Sequence, residues 1–271
     1  MQKKSSITQT KCAKKQLKIK LMKTIKLFTL ASFLLLSQNI FSQTAEEIIS
    51  NYFENTGGYE NWGNIEGIKM VANINQQGME IPMEIYQMKD GKQMTIINFQ
   101  GKEIKQGVFD GEHLWSHNFM TMEAEESDAE TTANFKLDIN DFPDSFYDYA
   151  TKGYTVELMG TEDYQGTETF KIKLVKEPKA NEGVEEEDVS FYYFDTESFV
   201  PIAMENEIKS GPGKGMVMEI SFSDYEEVEG LYFPFSLTQG VKGQPGQPIT
   251  MSEIILNPVV EESNFAIPTK E

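Results

Sequence analysis

The sequence predicts a mainly β protein with some helix (α+β), built as one large, strongly curved antiparallel sheet of about 11–12 strands. Three observations predict it. From Ile65 onward apolar residues recur with a period of two, the signature of strands with one buried face. Turn signals such as Asp90-Gly91, Gly101 and Asp110-Gly111 divide that pattern into short, even segments. Helical periodicity is confined to one segment near the start and one in the middle, so little material is available to cover the sheet. A sheet bends around scarce covering helices to bury its inner face.

The elements follow in order. Residues 22–42, MKTIKLFTLASFLLLSQNIFS, place Lys23 and Lys26 before a short apolar run, Leu27 to Leu36, and end in a small residue. This reads as a secretory signal peptide cleaved between Ser42 and Gln43. Met22 is then the natural start and residues 1–21 an upstream extension. Cys12 lies in that extension and no Cys follows the apolar run, so the expected product is unlipidated. Residues 43–271 are expected to form one domain. It opens with a capping box, Thr44 and Glu47, and a helix whose stripe is Ile48, Ile49, Tyr52 and Phe53, stopped by Gly57-Gly58.

Strands then follow near 68–74, 79–85, 92–99, 103–109 and 113–118 as an up-and-down meander. The acidic stretch 123–130 reads as a solvated hinge. Residues 142–152 read as a short helix capped by Asp141, with Phe142, Phe146 and Ala150 on one face and Asp144, Asp148 and Lys152 on the other. Strands resume at Tyr154 and continue near 170–174, 188–194, 199–208, 215–225, 231–240 and 249–257.

Charge removes several function classes. The chain has 24 basic residues, all Lys, against 43 acids. Nine of the lysines and no acid lie in residues 1–42, which leaves the rest with 15 lysines and a net charge of −28. Such a body repels nucleic-acid phosphates and anionic headgroups. After residue 42 no run approaches the ~20 apolar residues of a membrane span.

Chemistry is sparse. His113 and His117 sit on a strand-like run, roughly 13 Å apart, too far to share a metal. With two His and one Cys, nucleophilic triads have almost no material. Asp138-x-Asn140-Asp141 lacks the Gly and closing Glu of a calcium loop. The Glu205/Glu207 and Glu80/Glu84 pairs could serve a carboxylate hydrolase, although alternating Glu usually marks a solvated sheet face. No catalytic residue, metal or cofactor is assigned.

Twelve of the fourteen Met fall after residue 42, many at inferred inward positions. Met is flexible enough to form a wall that adapts to apolar ligands, and it also fills core gaps. The candidate cavity residues are Met70, Ile74, Met83, Ile85, Met94, Ile96, Trp115, Phe142, Phe146, Phe191, Met216, Met218 and Phe222. Trp115 has a competing role as a core anchor.

Ordered short signatures carry a family resemblance. They are the opening helix ending in Gly57-Gly58, FDGEHLW from Phe109 to Trp115, YYFDTESFVPIAMENE from Tyr192 to Glu207, FSDYEEVEGLYFPFSL from Phe222 to Leu237, and NFAIP from Asn264 to Pro268. Together they resemble the LolA-like periplasmic outer-membrane lipoprotein carriers and the Bacteroidetes-type outer-membrane lipoprotein-sorting proteins. The resemblance implies an unclosed antiparallel β-barrel with helices as a lid. It further implies a monomeric, non-enzymatic periplasmic carrier or sensor that holds acyl chains, lipoproteins or another apolar ligand, with other envelope proteins as candidate partners. Those carriers use an important Arg, and this chain has none. A ligand-free structural module of the envelope is the alternative, ahead of a hydrolase.

Overall fold

The computed structural model describes residues 43–268 except Gln77 and Ser210. The signal segment and the upstream extension lie outside the described residues. The described residues from Thr44 onward belong to one compact unit.

Helix α1, Ala45–Asn55, starts where its sequence says it should. The Thr44 hydroxyl accepts from the Glu47 amide at 3.2 Å, and the Glu47 carboxylate accepts from the Thr44 amide at 3.1 Å. Ile48, Ile49, Tyr52 and Phe53 are buried. A short helix α2, Tyr59–Gly63, follows and buries Trp62. The link between them requires glycine at Gly57. Its φ is +113°, and a Cβ there would lie 2.2 Å from the Gly230 carbonyl oxygen.

Thirteen strands form one sheet: β1 Gly67–Gln76, β2 Met79–Met88, β3 Gln93–Phe99, β4 Lys102–Phe109, β5 Leu114–His117, β6 Ala124–Glu126, β7 Thr155–Tyr164, β8 Thr167–Asn181, β9 Val184–Asp195, β10 Pro201–Glu207, β11 Val217–Val228, β12 Leu231–Val241 and β13 Gln247–Leu256. Their order is β6-β5-β4-β3-β2-β1-β13-β12-β11-β10-β9-β8-β7. Chain neighbours pair throughout, and the first strand pairs with the last. The sheet is a curved, unclosed barrel whose opening, between β6 and β7, falls mid-chain.

The insert at that opening differs from the sequence expectation. Its helix, α3, is Ala129–Asp138, capped by the Asp128 side chain on the Thr131 amide at 2.7 Å. Residues 142–153 are a series of tight turns instead of a helix. There Asp144 accepts from the Phe146 amide at 2.7 Å, and Asp148 adopts a left-handed φ of +55°, so local side-chain bonding and a backbone reversal displace the helical ladder. Helix α3 buries none of its residues. It has no apolar stripe, which is why its periodicity was invisible and its acidic start read as a hinge. The thirteenth strand, β6, is three residues inside that same acidic stretch.

The insert links strands near the two ends of the sheet, β4 on one side and β8 on the other. Phe135 packs on Phe109 of β4, with ring centroids 5.3 Å apart. The Asn134 side chain pairs both ways with Ala180 of β8, at 2.6 and 2.9 Å. Asp138 and Asp141 engage Lys176 and Lys179 of β8 at 2.5–3.7 Å. Burial works against the Lys176 ammonium, but the carboxylates of Asp141, Asp188 and Asp138 overcome it and hold its pKa above the ordinary value.

Register assigns the two faces. Ile68, Met70, Ala72 and Ile74 of β1 oppose Gln87, Ile85, Met83 and Ile81 of β2. This is the inner face, because Ile68 lies in the cluster built around α1 and Trp62. Met83 and Ile85 oppose Ile97 and Thr95 of β3, so Met94 and Ile96 point to the outer face, where Met94 opposes Tyr86.

Candidate functional site

The inner face divides into two parts. In the first, the side chains of α1, α2 and the turn segment fill the space. Phe53, Tyr52, Trp62, Phe146, Phe194 and Leu231 share one buried cluster, and Phe146 meets Tyr192 and Phe194 edge-on at 4.7 and 5.3 Å. In the second, Ala72, Met83 and Met251 are surrounded only by strand residues: Met70, Ile74, Ile85, Ile97, Phe235, Leu237 and Ile249. No helix residue belongs to this cluster, and neighbouring strand residues keep Ala72, Met83 and Met251 buried, so it is an apolar wall packed by strands alone. Met70 and Phe235 belong to both parts.

A cavity of about 220 Å³ lies where the parts meet. Ile68, Met70, Phe222 and Phe233 supply its apolar surface, and Tyr52, Tyr192, Tyr225, Gln87 and Asp144 its polar atoms. A second, more polar space of about 230 Å³ adjoins it around Lys92, Asp138 and Asp141. Gln87, Pro143 and Asp144 border both spaces. The turn segment therefore stands as a partition between two adjoining spaces, the apolar one a chamber and the polar one a vestibule.

The partition is well anchored. Asp144 accepts from the Tyr52 hydroxyl at 3.2 Å and from the Phe146 amide at 2.7 Å. The Lys152 ammonium donates to the Asp144 carbonyl at 3.0 Å. Tyr147 stacks on Tyr59 with centroids 4.6 Å apart, and the Asp148 amide donates to the Tyr59 hydroxyl at 3.1 Å. Burial pushes the Asp144 carboxyl above its usual range despite those two donors, and pushes the Tyr192 and Tyr225 phenols up as well. The Tyr225 hydroxyl donates to the Pro201 carbonyl at 2.6 Å.

The structure separates the sequence candidates into groups. Met70 and Phe222 line the chamber, and Ile74, Met83 and Ile85 form the wall. Phe142 borders the vestibule and Phe146 is buried in the partition. Met218 shares the register of Phe222 further along β11. Four residues lie on the opposite face. Met94, Ile96 and Trp115 pack with Phe265 and Val260 of the C-terminal segment, and the Trp115 indole donates to the Phe265 carbonyl at 2.9 Å. Phe191 alternates with the inward Tyr192 and lies under Lys171, 5.3 Å from its ring. Met216 precedes β11 and is 45% exposed. The error for Met94 and Ile96 is one of parity, since the reading counted from Met94 when Thr95 carries the inward register.

Sequence reasoning passed over Asp144, Gln87, Tyr192 and Tyr225. Asp144 was visible only as the polar side of a supposed helix. The candidate hydrolase carboxylates do not converge there: Glu84 pairs with Lys69 at 3.0 Å, and Glu205 with Lys242 at 2.6 Å. His117 accepts from the Lys105 amide at 2.9 Å, and burial, then the charge of Lys105, lowers its pKa. Among the described residues no cluster of three or more His, Cys, Asp or Glu could hold a metal, and no helix is long and apolar enough to cross a membrane.

No protein-family model matches the chain, and no curated protein is detectably similar to it. Solved structures are similar in fold. A LolA superfamily protein from Nitrosomonas europaea is 12% identical, covers 83% of this chain and 98% of its own, and superposes with a TM-score of 0.50. The fold is LolA-like. A DUF1329 family protein from Desulfovibrio piger gives 12% identity, 82% and 96% coverage and the same TM-score. The LolA-like sheet thus frames the chamber, and the wall and partition are this chain's own furnishing of it.

Proposed function

We propose that this chain is a non-enzymatic carrier or sensor of the bacterial periplasm that binds acyl chains, of lipids or of lipoproteins, on the inner face of its sheet. The observation that carries the reading is the apolar wall of Met70, Ala72, Met83, Ile85, Phe235 and Leu237, free of helix residues and continuous at Met70 with the chamber. A wall packed by strands alone and rich in flexible Met can shift to admit a chain and bury its apolar surface. Each methylene buried there contributes about 0.8 kcal/mol, so a single long chain supplies enough gross affinity without a charged anchor. The chain's lack of Arg suits a site that works by burial. The signal-like segment, the LolA-like fold and the resemblance support the periplasm as the compartment, with cleavage after Ser42 and a single domain from 43.

The chamber, at about 220 Å³, is smaller than the ~300 Å³ at the low end of ligand pockets. A long chain therefore enters by displacing the partition at 142–153, whose Pro143 and Asp144 border the chamber. Two measurements test this. Saturable uptake of an uncharged fluorescent probe at micromolar concentration is expected, with lipid retained in native mass spectra of protein from cells; absence of both refutes the carrier. Hydrogen exchange is expected to show 142–153 less protected than 68–74 and 170–175, and to change most there on loading. Equal protection unaltered by lipid would make the segment fixed core.

A further inference from the structure

We propose that the chamber discriminates by charge, admitting lipids whose polar end is an uncharged hydrogen-bond donor, a hydroxyl or an amide N–H, and rejecting acids, with Asp144 as the discriminating residue. This rests on the carrier reading above and names the ligand class of that site.

The argument starts from what the chamber contains. Of the residues that border it, none is Lys or His, and the chain has no Arg. The ionisable groups facing it are the Asp144 carboxyl and the Tyr52, Tyr192 and Tyr225 phenols. The Lys152 ammonium is held on the Asp144 carbonyl oxygen at 3.0 Å and does not border the chamber. A carboxylate or phosphate on an incoming lipid would lose its water and meet no cation among the chamber's own residues, and Lys92 beyond the boundary is already paired with Asp90 at 2.7 Å and Glu262 at 2.9 Å, so the charge is buried without a free partner. It would also meet Asp144, whose like charge disfavours a second anion.

A neutral donor meets the opposite situation. Each Asp144 oxygen accepts one hydrogen bond in the structure, from Tyr52 and from Phe146, and a carboxylate has room for more. The Tyr225 hydroxyl is already committed to Pro201. Gln87 of β2 borders chamber and vestibule together with Asp144 and offers a carbonyl and an amide at the same boundary. A chain lying on the Met70–Met83 wall would bring its polar end to this Asp144–Gln87 boundary. Burial already holds the Asp144 carboxyl above its usual range, and a donor from the ligand offsets that cost.

Twelve-carbon ligands that differ only in their polar end give the test. Dodecanol, dodecanamide and dodecanoate compete against bound N-phenylnaphthylamine on the full mature protein at about pH 8, where a free carboxylic acid is ionised. The alcohol and amide are expected to bind at least about ten-fold more tightly than the acid. In Asp144→Asn the acid should gain about ten-fold and the gap should narrow by that factor, the cost of burying an unpaired carboxylate remaining. A measurement on the wild type runs without any variant: as pH falls through the ionisation of the ligand's own carboxyl, the acid should approach the alcohol. Equal affinity for acid and alcohol in the wild type, or a gap that Asp144→Asn leaves intact, overturns the charge selection while the carrier reading stands. Failure of every ligand and of the probe to bind overturns both.

Discussion

Two stretches of the same strands, on the same face, have opposite fates. On β1, Ile68 joins the cluster of Trp62 and Phe53, while Ala72 and Ile74, four and six residues on, join a cluster with no helical member. On β12, Phe233 packs with Trp62, centroids 5.1 Å apart, and Leu237 lies in the helix-free wall. The alternation of the strands is identical in both stretches, so the strands do not decide which part is core. The reach of the helices does: α1 is 11 residues long and α2 only 5, about 16 Å and 8 Å of helix. The side chains differ accordingly. The covered part is built on aromatic rings in edge contacts, which fix one arrangement. The part without helices carries Met70, Met83 and Met251 beside Ile and Leu, which can repack against a variable partner.

The contrast can be broken most forcefully in the covered part. Phe53 is 1% exposed and meets Tyr59, Trp62 and Tyr147 edge-on. Phe53→Ala should cost about 3–5 kcal/mol in denaturant unfolding. A loss below about 1 kcal/mol would mean that the helices are loosely laid on the sheet and that the division does not exist. In the helix-free wall, Met83→Lys should cost less, about 1–3 kcal/mol, because the long side chain can carry its charge out of the wall. Its main effect should be on function, with probe affinity weakened at least about ten-fold. Probe binding at wild-type strength in Met83→Lys would move the ligand elsewhere. The smallest effect is expected on the outer face. Trp115→Phe removes the indole bond to Phe265 and should cost about 1 kcal/mol in stability, with probe uptake unchanged. Altered uptake in that variant would place the binding surface on the wrong side of the sheet.

Much of this was legible beforehand, and the exceptions share a cause. The capping box at Thr44 and Glu47, the α1 stripe and twelve of the strands each follow from a local rule, because each element's own residues satisfy its hydrogen bonds or its periodicity. The insert was misread because its structure is held from outside. Helix α3 is fastened by Asn134 to Ala180, by Glu130 to the Glu182 and Gly183 amides at 2.9 and 2.8 Å, and by Phe135 to Phe109. None of these partners lies within its own turn of chain.

A long antiparallel meander with one apolar face, an opening helix and an interruption in the middle follows from local residue patterns, because period and caps are properties of neighbouring residues. Only the tertiary structure decided where the sheet stays open, which of its faces Met94, Ile96 and Trp115 occupy, and that Asp144 borders a chamber. The pairing of β1 with β13 joins residues about as far apart in the chain as Ile68 and Leu256. That pairing puts the opening at the insert, and a shift of one residue in register exchanges the faces of a strand. The fate of Asp144 depends on Tyr52, 92 positions away, a contact that no local pattern of residues encodes.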